Sequence, residues 1–427
     1  MPAGICGNYE IIASFGTNSK QPFNLDVNMI EELTIIQDIN KFLPTIRMRI
    51  ADPTGTLSYV APFDSSTNTL TIKVSSPVDT AQNNGQDNTN EFVFKIYRKA
   101  PVQVTGGSGI YDVVGALAVN NFFAPSYVRS STQGQTIRQF IGVMILDMLN
   151  GTDIGVSSDT TSTVSKTLDY PGIVYQPNWT NAELIEDLKK RLRGDNGDSD
   201  FRIFISMLKG TAQVNVRTWN ELCNQPIKAI FVIGENPIVS GDNVINAVIS
   251  HMNYDNYMLM GATGIKQQDY NYFDYETSSF VDASVNLDDM TSITKYHLID
   301  GNDSIESDSA FYGRTHDFTE DFSERAISTL YSKATNLVKM WADTDGGNMH
   351  NLQPGSLVQV MFGLNAGSRP EEYQHSGFWL IEKVIHMVGK TFFTRMLLTR
   401  TGLDTTNKTT LMKAKMVRMN PYGVKIQ

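Results

Sequence analysis

Near the start of the chain, apolar and polar residues alternate with a period of two. The runs Thr45-Ile46-Arg47-Met48-Arg49-Ile50 and Thr69-Leu70-Thr71-Ile72-Lys73-Val74 show it best. That period predicts half-buried β-strands. Asp52-Pro53-Thr54-Gly55 predicts a turn, because proline sets φ and glycine tolerates φ > 0. The polar stretch Ala81–Asn90 reads as an exposed loop before a third strand, Glu91–Arg98.

The period then changes. Ile110–Val114 begins a strand, and from Thr136 the residues Ile137, Phe140, Ile141, Met144 and Met148 mark one helical face, with Thr136 and Gln139 at capping-box spacing. A second helix has a stronger start: Thr180 pairs with Glu183, and Trp179 and Leu184 sit where a hydrophobic staple would. Leu184, Ile185, Leu188 and Leu192 line its face until Gly194 ends it. Phe201–Ile205 returns as a strand. Further strands are predicted at Ala229–Ile233 and Asn246–Met260. A long helix is predicted from about Glu320, carried by Ile327, Leu330, Tyr331, Ala334, Leu337, Val338 and Trp341 and stopped by Gly346-Gly347. The last third reads as strands again, Leu357–Phe362, Phe378–Val388 and Phe392–Leu398. The fold class is α+β and β-rich, and the strand-rich character of the first hundred residues reappears near the end.

The chain has 427 residues, beyond the size at which one core stops growing, so three or four cores are expected. With 41% hydrophobic and 19% charged residues it can bury real cores and is not a disordered chain. The formal charge of −10 gives it no global footprint for gripping nucleic acid. The charge is uneven: fourteen acids face two bases between Gln267 and Glu324, and nine bases face one acid from Lys383 onward. Cys6 and Cys223 are lone thiols, with no disulfide framework or zinc site to be argued from them. The N-terminus lacks the pattern of a secretory signal. The longest apolar stretch, Phe140–Leu149, is about half a membrane span, and the expectation is a soluble protein folded in a cytoplasm.

Candidate chemistry is thin. Gly106-Gly107-Ser108-Gly109 is followed by a strand and no Lys-Ser/Thr pair, so it reads as a connection between domains and not as a phosphate loop. His251, His297, His316, His350, His375 and His386 form no metal-ligand spacing. Asp195-Asn196-Gly197-Asp198-Ser199-Asp200 departs from the calcium-loop order and reads as a solvated turn. Tyr254, Tyr257, Tyr270, Tyr272, Phe273 and Tyr275 form an aromatic belt beside Asp288-Asp289, the one pattern that a glycan hydrolase or carbohydrate-binding protein could use. Adjacent strand residues point to opposite faces, however, and aromatics are common at interfaces. No catalytic, cofactor-binding or metal residue is assigned, and no cofactor is expected.

The ordered segments resemble the baseplate hub family of contractile phage tails, whose relatives include the N-terminal part of VgrG spike proteins and the tail-tip proteins of non-contractile phages. The similar segments are Pro44–Gly55, Ser126-Tyr127 with Gln135-Thr136-Ile137, Trp179–Arg191, Phe201–Ile205, Thr218–Leu222, Leu352–Val358, Ser376–His386 and Phe392–Leu398. The resemblance implies two tail-tube-like β-barrel modules with an intervening α+β domain. The first module would span residues 1–105 and the α+β domain 106–225. The second module would be discontinuous over 226–261 and 346–403, around an insertion and long helix at 262–345, with a basic arm at 404–427. It further implies a homotrimeric, non-enzymatic ring that adapts a hexameric tail tube to a threefold spike and forms the DNA exit channel in the virion. Its partners would be the tail tube protein, the central spike protein, other baseplate proteins and the tape measure protein. DNA would pass through without specific binding, along a lumen richer in acids than in bases.

Overall fold

The computed structural model describes residues 10–16, 22–57, 69–75, 89–105, 108–123, 137–152, 154–156, 179–190, 192, 201–208, 211–233, 244–253, 267–274, 278–286, 311–312, 338–345, 352–362, 377–389 and 391–400. The first group of strands is β1 (Glu10–Phe15), β2 (Phe23–Leu25), β3 (Ile30–Asp38), β4 (Thr45–Asp52), β5 (Thr69–Ser75), β6 (Thr89–Thr105) and β7 (Ser108–Leu117). An α+β portion follows: α1 (Ile137–Leu149), β8 (Gly155–Val156), α2 (Asn181–Lys189), β9 (Phe201–Leu208), β10 (Thr211–Thr218) and α3 (Trp219–Cys223). Next come β11 (Ala229–Ile233), β12 (Val244–Asn246), β13 (Val248–Asn253), β14 (Gln267–Asp274), β15 (Ser279–Asn286) and β16 (Phe311–Tyr312). The last four are β17 (Val338–Asp345), β18 (Leu357–Phe362), β19 (Gly377–Val388) and β20 (Phe392–Arg400).

Alternation does set the early strands. In β4, Ile46, Met48 and Ile50 are buried while their neighbours are exposed or half-buried, and in β5 Leu70, Ile72 and Val74 are buried. The Asp52 turn forms as expected, with Gly55 at φ 69°. The buried Asp52 carboxylate accepts from the backbone N–H groups of Thr54, Thr56 and Leu57 at 3.3, 3.1 and 2.8 Å. A carboxylate can leave water in this way because each lone pair meets a donor that would otherwise be orphaned.

The first two of the three predicted helices are present. Phe140, Ile141, Met144 and Met148 of α1 are buried, and α2 carries the full capping box between Thr180 and Glu183, with Leu184, Ile185 and Leu188 inward. The hydrogen bond from the Thr180 backbone N–H, then that from its side chain, holds the Glu183 carboxyl below its ordinary range. Thr136 and Gly194 lie outside the described residues.

The principal sheet has fourteen strands. Its topology falls into two halves with one strand order. β1–β7 run β2-β1-β5-β6-β7-β4-β3 across the sheet; β11, β12, β13, β17, β18, β19 and β20 run β12-β11-β18-β19-β20-β17-β13. Numbered within each half, both orders are 2-1-5-6-7-4-3. The bulges agree as well: β6 against β7 slips between Ile96 and Arg98, and β19 against β20 slips between Ile381 and Lys383. Likewise β3 against β4 slips between Ile30 and Glu32, and β13 against β17 between Ile249 and His251. The halves differ in two respects: β1 is antiparallel to β2 and β5 whereas β11 is parallel to β12 and β18, and β6 slips a second time against β7, between Pro101 and Gln103, where β19 has no counterpart. In each half the two ends of the path are consecutive along the chain, with only Ala247 between β12 and β13, and Asp26 and a short 3-10 turn between β2 and β3.

The halves are joined edge to edge by β3 and β19, which pair antiparallel from Asp38↔Lys383 to Leu33↔Val388. The α+β portion holds a separate sheet of order β8-β10-β9, and β14, β15 and β16 form a third, of order β15-β14-β16.

Three expectations are corrected. The helix from about Glu320 does not reach Trp341, because Val338–Asp345 is strand β17; its earlier part lies outside the described residues. Val338 and Trp341 satisfy helical spacing, but Val338, Met340, Ala342 and Thr344 are all buried with half-buried residues between them, so the period of two wins once β20 and β13 flank it. The glycine-rich segment at Gly106 is not a connection between domains, because β6 before it and β7 after it pair with each other up to Thr105↔Ser108 in one sheet. The strand expected over Asn246–Met260 breaks at Ala247, whose N–H turns to the Val232 carbonyl at 3.1 Å.

The Asp52 turn yields a direct test. Asp52→Ala strips a buried charged acceptor from its backbone donors and should lower unfolding stability by about 2–3 kcal/mol in urea titration. Asp52→Asn, which keeps one acceptor oxygen, should lose less. Equal losses would show that the turn does not depend on those bonds.

Candidate functional site

The described residues bring polar side chains together at one place, the joint where β3 meets β19 and the α+β portion lies against both. β3 reaches it because Leu33 and Ile35 are buried on one side while Gln37 and Asp38, also buried, come at its end. On β19, Glu382 and His386 are themselves buried, so neither has access to water. Such groups need partners; His386 and the Glu382 Oε1 find them, while the buried Glu382 Oε2 meets no hydrogen-bond donor among the described residues.

Glu382 sits at the β19 bulge. Its Oε1 accepts from Lys339 Nζ of β17 at 3.2 Å and from Asn40 Nδ2 at 2.9 Å, and its carbonyl accepts from the Ile39 N–H at 3.0 Å. The next residue, Lys383, pairs with the buried Asp38 at 3.1 Å. His386 is fully buried, with Nε2 3.4 Å from Gln37 Nε2 and Nδ1 3.0 Å from Thr394 Oγ1.

The α+β portion closes the cluster from β9. The Met207 N–H reaches Gln37 Oε1 at 3.3 Å and Gln353 Oε1 at 2.9 Å, Arg202 Nη1 donates to Asn40 Oδ1 at 2.8 Å, and the Ile205 N–H donates to the Phe42 carbonyl at 3.0 Å. An apolar patch of Ile39, Phe204, Trp219, Leu222, Cys223 and Leu380 seals it, drawing on all three parts of the chain. Trp219 and Leu222 are presented by α3, a single turn started by the reciprocal pair of Thr218 and Glu221.

The Pro354-Gly355 turn locks the arrangement. Gly355 has φ 81°, donates its N–H to the Ile381 carbonyl at 2.7 Å, and accepts from Gln225 Nε2. A Cβ at this position would lie 2.6 Å from Phe204 Cζ. Only glycine meets both the backbone angle and the contact.

Chemically this is a joint between three parts of the chain. Its carboxylates are engaged by Lys339, Lys383 and Asn40, and its histidine is sealed between Gln37 and Thr394. Among the described residues no cluster of three or more His, Cys, Asp or Glu could hold a metal ion.

The other sequence candidates are scattered. His251 lies exposed on β13, and Tyr270, Tyr272 and Phe273 belong to β14. Asp288-Asp289, Asp195–Asp200, Tyr254, Tyr257, Tyr275, His297, His316, His350 and His375 lie outside the described residues, as does the basic stretch after Arg400. The joint residues Gln37, Asn40, Glu382 and His386 were missed. A signal was present: Glu382, Lys383 and His386 interrupt a largely apolar twelve-residue strand, where a buried polar group needs a partner from elsewhere.

A second feature lies on β6. Beyond the reach of β5, this strand carries exposed Tyr97 and Val102, and Tyr97 packs against exposed Phe123 with ring centroids 6.2 Å apart. Beside it, Lys99 lies 4.3 Å over the Tyr111 ring, and burial lowers its pKa.

No protein-family model matches the sequence, and no curated protein matches it. Solved structures do match its fold. The tail protein of Neisseria meningitidis MC58 is similar at 10% identity and TM-score 0.54, over 91% of this chain and 96% of that one. The 43 kDa tail protein of prophage MuSo2 from Shewanella oneidensis is similar at 11% identity and TM-score 0.54, over 93% of this chain and all of the other. At these identities the likeness is one of fold, and it extends along nearly the whole chain. The resemblance drawn from the sequence segments therefore holds at that level: the chain has the fold of phage-type tail proteins.

The joint predicts a contrast between two glycines with positive φ. Gly355→Ala should cost about 2–4 kcal/mol, from backbone strain plus the clash with Phe204. Gly151→Ala, at φ 76° with open space around it, should cost only about 1–2 kcal/mol. Denaturant titration of both variants would check this, and indistinguishable losses would contradict the docking of the turn on β9.

Proposed function

We propose that this chain is a structural, non-catalytic hub of a phage-type tail baseplate. The observation that carries the reading is the repeated 2-1-5-6-7-4-3 strand order, with the two halves already joined edge to edge by β3 and β19. A chain with two equivalent halves can alternate them around a ring, so that three copies present six similar units. Such a ring would sit between a hexameric tail tube and a threefold spike, each of them a partner in this reading, together with other baseplate proteins and the tape measure protein.

The fold shared with two tail proteins supports the same reading. The polar joint supports it too, because a mechanical connector needs a rigid seam and has no use for an open catalytic cleft. In the ring, the two tube-like modules would enclose the channel, and DNA would pass without being held, consistent with the formal charge of −10. The basic residues from Lys408 to Lys425 would form an arm laid on a partner. The site of action would be the virion tail, after assembly in the host cytoplasm.

Closed cyclic symmetry is the usual solution for such rings. Multi-angle light scattering of the purified chain, alone and with tube and spike proteins, should give three times the chain mass in at least one condition. A strict monomer in every condition would overturn the reading.

A further inference from the structure

The chain crosses the margin of the principal sheet at three neighbouring points. In the ladder β13-β17-β20, Asn253 stands opposite Lys339, and Lys339 opposite Thr399. The chain leaves toward β14 after Asn253, is back in the sheet at Val338, and leaves again after Arg400, the register partner of Val338. The basic arm therefore starts within two strand spacings, about 10 Å, of both ends of the segment that carries β14, β15 and β16. The two segments have opposite charge. Fourteen acids meet two bases between Gln267 and Glu324, whereas Lys408, Lys413, Lys415, Arg418 and Lys425 follow Asp404 with no further acid. Roots this close are separated by about one Debye length at physiological salt, so screening leaves part of the attraction in place.

The acidic segment also offers an edge. Its sheet runs β15-β14-β16, and among the described residues β15 has a strand on one side only. Such an edge is a template for another strand. The register of β15 on β14 sorts its residues by face. Val281, Ala283 and Val285 share one face, in line with Tyr272 and Tyr270 of β14. Asp282 and Ser284 share the other, in line with Asn271 and Asp269.

The arm carries the matching pattern. Met412, Ala414 and Met416 alternate with Lys413 and Lys415, which is the period of a half-buried strand. Lys413 comes thirteen residues after Arg400, and Gln267 fourteen after Asn253, so the arm has as much chain to reach this sheet as β14 has. Two segments rooted side by side and equally long run in the same direction. An arm that follows the course of β14 is antiparallel to β15.

We infer that Met412–Met416 adds to the open edge of β15 in the same chain, as a fourth strand of the third sheet. The register that matches both faces sets Met412 against Val285, Ala414 against Ala283 and Met416 against Val281, apolar with apolar. On the other face it sets Lys415 against Asp282, and Lys413 against Ser284 with Asp269 one strand further on. Opposite charges set directly across a ladder stabilise the pairing, and like charges there oppose it. This assignment does not depend on the ring. In the ring reading, the arm would meet its partner as part of this sheet.

Hydrogen exchange on the full chain reads the edge directly. The outward amides between Val281 and Val285 should exchange slowly, and Lys415→Glu should speed them about tenfold or more. Adding Asp282→Lys to that variant should restore slow exchange, because the pair is then reversed and not merely removed. Cysteines at opposed apolar positions test the register, Ala283→Cys with Ala414→Cys in a Cys6→Ser background with the buried Cys223 kept. Under mild oxidation they should give a linked peptide by mass spectrometry and no dimer band on a non-reducing gel. Fast exchange at Val281–Val285 in the unaltered chain, no rescue by the reversed pair, or no linked peptide would overturn the inference. A ladder of linked chains would place the arm on another copy and overturn it equally. None of these results bears on the mass of the oligomer, so the hub reading stands or falls separately.

Discussion

A strand has two edges, and the whole arrangement follows from how β19 uses them. One edge is given to β20 from Leu380 to Val388, while the other is divided between β18 and β3. The division needs a strand longer than its neighbours and a place where the ladder can change partners. Twelve residues and the bulge at Glu382 supply both. If β19 were shorter, β3 would have no edge to join, and the two halves would be tethered only through the connecting chain.

The partner change also explains why polar groups are buried there. Two apolar strand edges could meet in several registers, and a one-residue slip would reverse every side chain. Glu382 with Lys339 and Asn40, Lys383 with Asp38, and His386 with Gln37 can all be satisfied in one register only. Buried charges of this kind add little net stability, but breaking one pair leaves an uncompensated charge, which disfavours alternatives. Met207 and Arg202 extend the same specification to the α+β portion, so three parts of the chain are set by one cluster.

Much of this was legible in the chain. The period of two placed β4 and β5 within a residue or two of their ends, because each has one buried face, and the apolar runs near the end placed β18, β19 and β20 as closely. The Thr180 cap and the Asp52 turn were legible because they are local, with donors and acceptors only a few residues apart. The helix predicted through Trp341 failed because Val338 and Trp341 suit both periods, and flanking strands far away in sequence decided between them. The joint failed for the same reason. Gln37 and His386 are 349 residues apart, and no local spacing connects them.

The central claim is that equivalent halves alternate around a closed ring. Electron microscopy of the purified oligomer, viewed down its axis, tests this most directly. The account predicts end-on averages with threefold symmetry, in which six similar densities alternate around a central opening. A compact dimer, or an open filament of chains joined head to tail, would contradict it.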